Sequence, residues 1–277
     1  MVEISSSAKR RATPTGAVSY VKLRMIAPLI HWTRFIWFGT RRLLANSQAR
    51  VETPGGPVVY FAPNAKCFMR TATVYTKEPE TVRWIDSFGD DDTLWDIGAN
   101  IGIYSIYAAA SRRRKVVSFE PSPATFGVLC RSVELNRMDD RVFPYCIALG
   151  DKKKLSQFDM RTTVAGFAGS SLGGFGGSES DITERSYHQA AIGYTVDQFI
   201  AEFDAPFPNH IKIDVDGADH LVLFGAQRTL ADPRLKSVLV ELIGGERQEQ
   251  AAALLLANGF KLDPHSQEAR GNRIFRR

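Results

Sequence analysis

Cysteine is scarce in this chain: Cys67, Cys130 and Cys146 are the only three in 277 residues. They are odd in number, widely spaced, set in apolar surroundings and without a C-x-x-C pair. That excludes a disulfide framework and a thiolate zinc knuckle, and it fits reduced core residues of a cytosolic protein. The five histidines form no H-E-x-x-H or similar cluster, so no zinc site is expected. Long apolar runs are missing as well. A membrane span needs about 20 mostly apolar residues, and the most apolar stretch, residues 18–44, is interrupted by Lys22, Arg24, Pro28, His31 and Arg34. Lys22 and Arg24 also fall inside any apolar segment that could serve a signal peptide. The P-loop is absent, since no Lys and Ser/Thr follow the glycines at the required place. The dinucleotide fingerprint G-x-G-x-x-G is absent too.

Charge is present but unevenly placed. Of the net +5, residues 1–50 carry +8, from nine Lys/Arg against Glu3, which leaves 26 basic and 29 acidic residues, or −3, in the other 227. The basic pI therefore belongs to an N-terminal extension. An enzyme acting on nucleic acid would place basic residues around its site, so nucleic acid is not an expected partner. With 44% hydrophobic residues the rest can bury one large core. The expected organisation is a basic, partly helical extension over 1–50, a small β/α annex over 51–92 leading into the core, and a catalytic domain over 93–277. Two readings of 18–44 stay open: a helical lid packed on the core, or a Trp/Phe/Arg segment in peripheral contact with a membrane surface.

Along the chain, Val58 to Phe61 and Cys67 to Tyr75 alternate in short runs and predict a small antiparallel annex. Glu78-Pro79 opens a helix through Val82 and Ile85 that ends near Gly89. Strands are expected at Thr93 to Asp96, Lys115 to Phe119, Val142 to Leu149, Leu155 to Met160, His210 to Asp214 and Ser237 to Leu242. Helices intervene, including one started by Ser122 and Pro123 and one by the capping box of Thr195 and Gln198. Phe260 to Leu262 and Arg273 to Phe275 suit a closing antiparallel pair. Strands alternating with helices predict an α/β fold, a parallel sheet covered on both faces. Gly166 to Ser178 holds too many glycines for a regular element. It reads either as a disordered loop or as a cover over the substrate.

The stretch TLWDIGANIGIYSIY, Thr93 to Tyr107, is a strand, a glycine turn and a helix. Gly98 permits a tight turn or a close backbone approach, and the free amides of the helix start favour a small polar ligand. The next strand delivers Glu120 about 20 positions on, where an acidic side chain suits ribose hydroxyls.

DIGANIG at Asp96 to Gly102, SFEPSP at Ser118 to Pro123 and IKIDVDGADHLVLFGA at Ile211 to Ala226 together resemble S-adenosylmethionine-dependent methyltransferases, and more narrowly the FkbM family. KEPETVRWI at Lys77 to Ile85 and VLVEL at Val238 to Leu242 match more loosely. The resemblance covers about Glu78 to Gly259. It implies a Rossmann-like class I fold with a mostly parallel seven-stranded sheet and a reversed final strand, with S-adenosyl-L-methionine as cofactor. It implies an acceptor hydroxyl on a sugar, glycolipid or polyketide-like small molecule. Nitrogen methylation, or a catalytically idle cofactor-binding module serving a partner through its basic N terminus, are the alternatives. The oligomeric state is left open.

On that resemblance Asp96 and the loop residues Gly98, Ala99, Asn100 and Gly102 would hold the amino acid end of the cofactor, directly or through water. Glu120 would take the ribose, and the adenine would lie near Ser122 and Ala148. Asp96, Glu120, Asp214 and Glu241 each close a strand, so they should ring one crevice and suit a sulfonium cation. An acceptor hydroxyl needs a general base, for which Asp214 and Asp216 lead, with His188 and His220 behind them. Lys212, on the face opposite Ile211 and Ile213, should pair with one of the two aspartates. A calcium loop is excluded because Gly217 stands at position 4 of DVDGAD, not 6. Where relatives read D-V-E-G-x-E, the shorter Asp216 and Asp219 stand here. The family often carries a serine-rich segment near the cofactor, here Ser170 and Ser171.

Overall fold

The computed structural model describes residues 47–111, 114–172, 187–242, 244–266 and 271–277. The N-terminal stretch to residue 46, with both readings of 18–44, lies outside the described residues, as do 173–186 of the glycine-rich excursion.

The described chain starts with an antiparallel pair, β1 (Gln48–Val51) and β2 (Val58–Phe61). Buried Tyr60 donates its hydroxyl to the Ile103 carbonyl at 2.8 Å and ties this pair to the core. The next segment corrects the sequence reading. Cys67 to Tyr75, expected as a strand, is helical: α1 (Ala65–Ala72) and α2 (Val74–Lys77). Asn64 caps α1 by accepting the Cys67 N–H at 2.9 Å. The buried residues Cys67, Thr71 and Val74 recur at helical spacing. In so short a run, apolar letters fit either period, and the cap decides.

There follow α3 (Pro79–Asp86), opened by its proline, then β3 (Thr93–Ile97), α4 (Ile103–Ala109), β4 (Lys115–Phe119), α5 (Pro123–Asn136) and β5 (Val142–Tyr145). The strand expected over Val142 to Leu149 breaks at Cys146. Its second half, β6 (Ala148–Leu149), leaves for another sheet, which it forms with β7 (Lys154–Met160), β8 (Ser171–Leu172) and β9 (Tyr187–Tyr194) in the order β6-β9-β7-β8. Thr195 caps α6 (Val196–Phe203), its Oγ1 accepting the Gln198 N–H at 3.0 Å. The chain closes with β10 (His210–Ile213), α7 (Asp219–Phe224), α8 (Gln227–Ala231), β11 (Ser237–Glu241), α9 (Glu246–Ala257), β12 (Lys261–Leu262) and β13 (Asn272–Arg276).

The main sheet has seven strands in the order β12-β13-β11-β10-β3-β4-β5. Neighbours from β11 to β5 pair in parallel, and β13 runs antiparallel to both β11 and β12. Two apolar clusters cover its faces, one with Leu94, Val116 and Leu239, the other with Trp95, Val117, Phe119, Ile211 and Ile213. This is the expected Rossmann-like arrangement with its reversed last strand. Strand order reverses between β3 and β10, and such a switch point opens a crevice beyond the carboxyl ends of the strands. The cysteines are corrected in part: all three are free, but only Cys67 is buried, while Cys130 is half-buried and Cys146, in the β5–β6 break, is exposed. No helix among the described residues is long and apolar enough to cross a membrane.

At the opposite rim His210 is buried against the Phe88 ring, centroids 3.6 Å apart. Its Nδ1 meets Ser237 Oγ at 2.7 Å and its Nε2 meets Asp92 Oδ2 at 3.0 Å. Burial pushes its pKa down to about 4. A histidine whose folded pKa lies below its unfolded value stabilises the fold above about pH 6.5, and that contribution fades as pH falls towards 4. Glu120, Asp219 and Glu241, each raised to about 7, act in the opposite sense, so the effect must be read by difference. The stability gap between wild type and His210→Gln, measured by urea unfolding, should shrink by about 2–3 kcal/mol between pH 7.5 and 4.5. A gap independent of pH would contradict the assignment.

Candidate functional site

The loop after β3 turns on three left-handed residues, Gly98 (φ 81°), Asn100 (φ 50°) and Gly102 (φ 80°). The Gly98 and Ala99 amides both donate to the Phe119 carbonyl at 3.0 Å, which lays the loop across the end of β4. A Cβ at Gly98 would collide with the Asp214 carbonyl, and one at Gly102 with the Leu129 side chain. Both glycines are therefore required by the fold itself: the first lets the ends of β3 and β10 approach, the second lets α4 pack on α5. Asn100 tolerates its conformation because its Oδ1 accepts the Ile101 N–H at 3.0 Å and its Nδ2 donates to the Phe167 carbonyl at 3.1 Å.

Glu120 follows the end of β4 and is buried. One carboxylate oxygen accepts the Asn100 N–H and the other the Ser122 N–H, each at 2.9 Å. An ionised carboxylate has about four lone-pair sites, so both oxygens keep acceptor capacity towards the pocket they line. Burial pushes its pKa up to about 7 against the pull of those two amides. Ser122 is the N-cap of α5, but its hydroxyl donates to Thr125 Oγ1 at 3.2 Å and does not cap the backbone.

From β10, Lys212 points away from Ile211 and Ile213, as expected, and its Nζ lies 3.0 Å from Asp214 Oδ2. Burial opposes its charge, but Asp214, Asp96 and Glu78 more than offset that and hold its pKa well above the ordinary range. Burial likewise opposes ionisation of Asp214, and the Lys212 ammonium overcomes it, so this carboxylate sits below its usual range. Asp216 is in the left-handed region (φ 53°). Its Oδ2 accepts the Gly169 and Ser170 N–H groups at 2.7 and 3.2 Å. Desolvation of the carboxyl under that segment, then the charge of Asp214, push its pKa up. Asp219 is fully buried and accepts the Val215 and Gly217 N–H groups, both at 3.1 Å. It shapes the turn from inside the core.

Residues 161–170 form a strap over the crevice. Asn64 Nδ2 donates to the Ala165 carbonyl at 3.0 Å and Arg70 Nε to the Gly166 carbonyl at 2.6 Å, while Asp216 holds the far end. Beneath it is a pocket lined by Gly98, Asn100, Glu120, Ser122, Ala148, Asp214 and Asp216, with walls from Phe119, Ile147, Phe158 and Phe167. A second pocket shares Gly98, Asn100 and Asp214 and adds Ala99, Arg70, Lys77, Glu78, Tyr104 and Lys212.

Eight of the ten residues singled out from sequence thus line these two adjoining pockets. Asp96 and Gly102 line neither. Asp96 lies behind the wall, 1% exposed, its Oδ2 accepting the Ser105 hydroxyl at 2.5 Å. The expected ring of four carboxylates is smaller than foreseen, since Glu241 also lines neither pocket, although burial and Asp214 push its pKa up to about 7. His188 pairs with Asp159 at 2.6 Å on the four-stranded sheet, and His220 is buried on α7. Among the described residues no group of three or more His, Cys, Asp or Glu could hold a metal ion. Sequence reasoning missed Arg70, Lys77, Glu78 and Tyr104. Arg70, Val74 and Lys77 recur at helical spacing, a signal hidden by reading the segment as a strand. Gly98→Ala should cost at least about 2 kcal/mol in urea unfolding, through a forbidden φ and a backbone collision. Gly127→Ala, in α5 with open space at its Cβ, should be neutral or stabilising by about 0.5–1 kcal/mol. Equal effects would remove the close approach of β3 and β10 as the reason for Gly98.

Residues 96–262, more than half of the chain, match the family model described as the methyltransferase FkbM domain. The chain is 28% identical over 166 residues to a hexuronic acid methyltransferase, AglP, of Haloferax volcanii, covering 60% of this chain and 62% of that relative. It therefore spans less than two thirds of the relative's length. Among solved structures it is similar to an FkbM methyltransferase from Methylobacillus flagellatus (TM-score 0.45, 15% identity, 75% of this chain and 48% of that one). It is also similar to Aeropyrum pernix fibrillarin in complex with natively bound S-adenosyl-L-methionine (TM-score 0.43, 10% identity, 83% and 82%). With its domain match spanning the glycine loop, Glu120 and the DVDGAD turn, the chain belongs to the FkbM family of S-adenosylmethionine-dependent methyltransferases.

Proposed function

We propose that this protein transfers a methyl group from S-adenosylmethionine to a hydroxyl of a sugar, glycolipid or polyketide-like acceptor. The observation that carries the cofactor reading is Glu120, fixed by two backbone amides at the junction of the glycine loop and an apolar pocket, with acceptor capacity left on both oxygens. Ribose hydroxyls would donate to it. The walls from Phe119, Ile147, Ala148 and Phe158 suit an adenine ring. The adjoining pocket offers Arg70 to a carboxylate and Asp214 to an ammonium, with the Lys77–Glu78 pair at its edge, which suits the amino acid end of the cofactor. Asp96, behind this wall, would act only through Ser105 or water. The sugar acceptor is supported by the relative's description as a hexuronic acid methyltransferase.

When bound, the cofactor supplies an electrophilic methyl carbon on a sulfonium. The chain's own residues supply alignment and charge. Asp214, kept ionised by Lys212, faces both pockets and favours a cation between them. Asp216 keeps Oδ1 available, and its raised pKa brings it nearer the pH at which a carboxylate takes a proton effectively from an acceptor hydroxyl. We assign Asp216 as general base and Asp214 as its electrostatic support.

Asp216→Asn should lower kcat by about 10²–10⁴-fold while changing the affinity for S-adenosylmethionine little, and it should remove the acid limb of the pH–rate profile. Asp214→Asn should weaken cofactor binding and turnover together. Both variants turning over at the wild-type rate would remove the base assignment. A wild type without turnover on hydroxyl-bearing sugars but active on amines would favour nitrogen methylation.

A further inference from the structure

The helix whose inner edge lines the second pocket has an unusual outer side. Within α1, Cys67 and Thr71 are buried, and Lys66 and Arg70 are half-buried at the flank that meets the strap. The four exposed positions are Ala65, Phe68, Met69 and Ala72, all apolar, at the i, i+3, i+4, i+7 spacing of one helix stripe. Phe68 is 53% and Met69 61% exposed, the reverse of a surface helix, which turns such a stripe to the core. One turn back, Lys66 Nζ lies 5.5 Å from the centre of the Phe167 ring, which is itself 45% exposed and lines the larger pocket. The apolar stripe and the pocket mouth are therefore neighbours.

We propose that the outer face of α1 docks on an anionic lipid surface. Charge selects this occupant. Residues 65–77 carry Lys66, Arg70 and Lys77 and no acidic residue, although Lys77 is engaged by Glu78 at 2.6 Å. The strap, residues 161–170, adds Arg161 and again no acid. An apolar stripe flanked by cations is the pattern that seats a helix in the headgroup region of anionic bilayers, apolar side down. Docked this way, the mouth edged by Arg70 and Phe167 would meet an acceptor presented at the lipid surface. That last step rests on the reading under Proposed function; lipid binding does not, so the two fail separately.

The test is hydrogen exchange on the full chain with vesicles of phosphatidylglycerol or of phosphatidylcholine, together with co-sedimentation of wild type, Phe68→Ser/Met69→Ser and Lys66→Glu. These substitutions sit on exposed or half-exposed positions outside both pockets. Peptides covering 64–77 should gain protection with phosphatidylglycerol vesicles only. The double variant should lose at least about tenfold in partitioning, and Lys66→Glu should lose severalfold, each with an unchanged thermal unfolding midpoint. Protection confined to residues 18–44, protection of 64–77 already complete without vesicles, or a wild-type dimer that the double variant converts to monomer would each overturn the proposal. The last two would mean that another part of the chain, or a second copy, covers the stripe.

Discussion

One buried ammonium organises the crevice. Lys212 is 2% exposed, and removing such a group from water costs several kcal/mol unless its surroundings answer the charge. Asp214 at 3.0 Å does so directly, and Asp96 and Glu78 add to it. The exchange is mutual: Lys212 is also what lets Asp214 stay ionised in a desolvated position. Glu78 is also paired with Lys77 at 2.6 Å, while Glu120 and Asp216 at the same crevice have no cation beside them at ion-pair distance among the described residues, so it is there that negative charge is left over. That excess is unfavourable for the empty fold and favourable for a cationic ligand. Asp216, Asp219 and Glu241 have raised pKa values, from burial first and from the charge of Asp214 in addition.

The backbone holds this arrangement in place. The collision expected for any side chain at Gly98 with the Asp214 carbonyl means that the glycine loop and the DVDGAD turn are in contact. Asp219 fixes the other side of that turn through two amides. Its shorter side chain relative to the family's glutamate is no handicap, because its partners are two and four residues away in sequence. Asp216 then projects from a left-handed residue to reach the strap. The carboxylate at the family's glutamate position thus ties the DVDGAD turn to the segment that roofs the crevice. Between them, two short motifs far apart in sequence build one wall.

Much of this was legible in the sequence, for identifiable reasons. β3, β4 and β11 are mostly apolar runs with both faces buried, and β10 alternates Ile211 and Ile213 with buried His210 and Lys212; such short buried strands leave few alternatives. Glu120, Asp214 and the Lys212 pairing followed from strand ends and strand parity, which are local properties. Where the sequence misled, distant contacts decided. Cys67 to Tyr75 became helix because Asn64 caps it and its buried positions face β1 and the strap, and Arg70 and Lys77 came to the site with it. Val142 to Leu149 split because its second half found partners in β9, beyond the reach of any local pattern. Asp96 was expected at the right strand end but one layer too close to the ligand, since Ser105 and Ser118 draw it into the core.

The account depends on Glu120 remaining an acceptor inside an apolar, acid-rich pocket, and its pKa near 7 makes that state accessible to titration. Calorimetric titration of S-adenosylmethionine across pH 5.5–8.5 is the direct measurement. For the wild type, affinity should rise with pH through about 7 as the carboxyl ionises, since ribose donors and a cation both favour the charged form. Glu120→Gln should bind about 10–100-fold more weakly at pH 8 with that rise removed. Equal affinity in the two proteins, or the same pH profile without the carboxylate, would place the donor elsewhere and contradict the account.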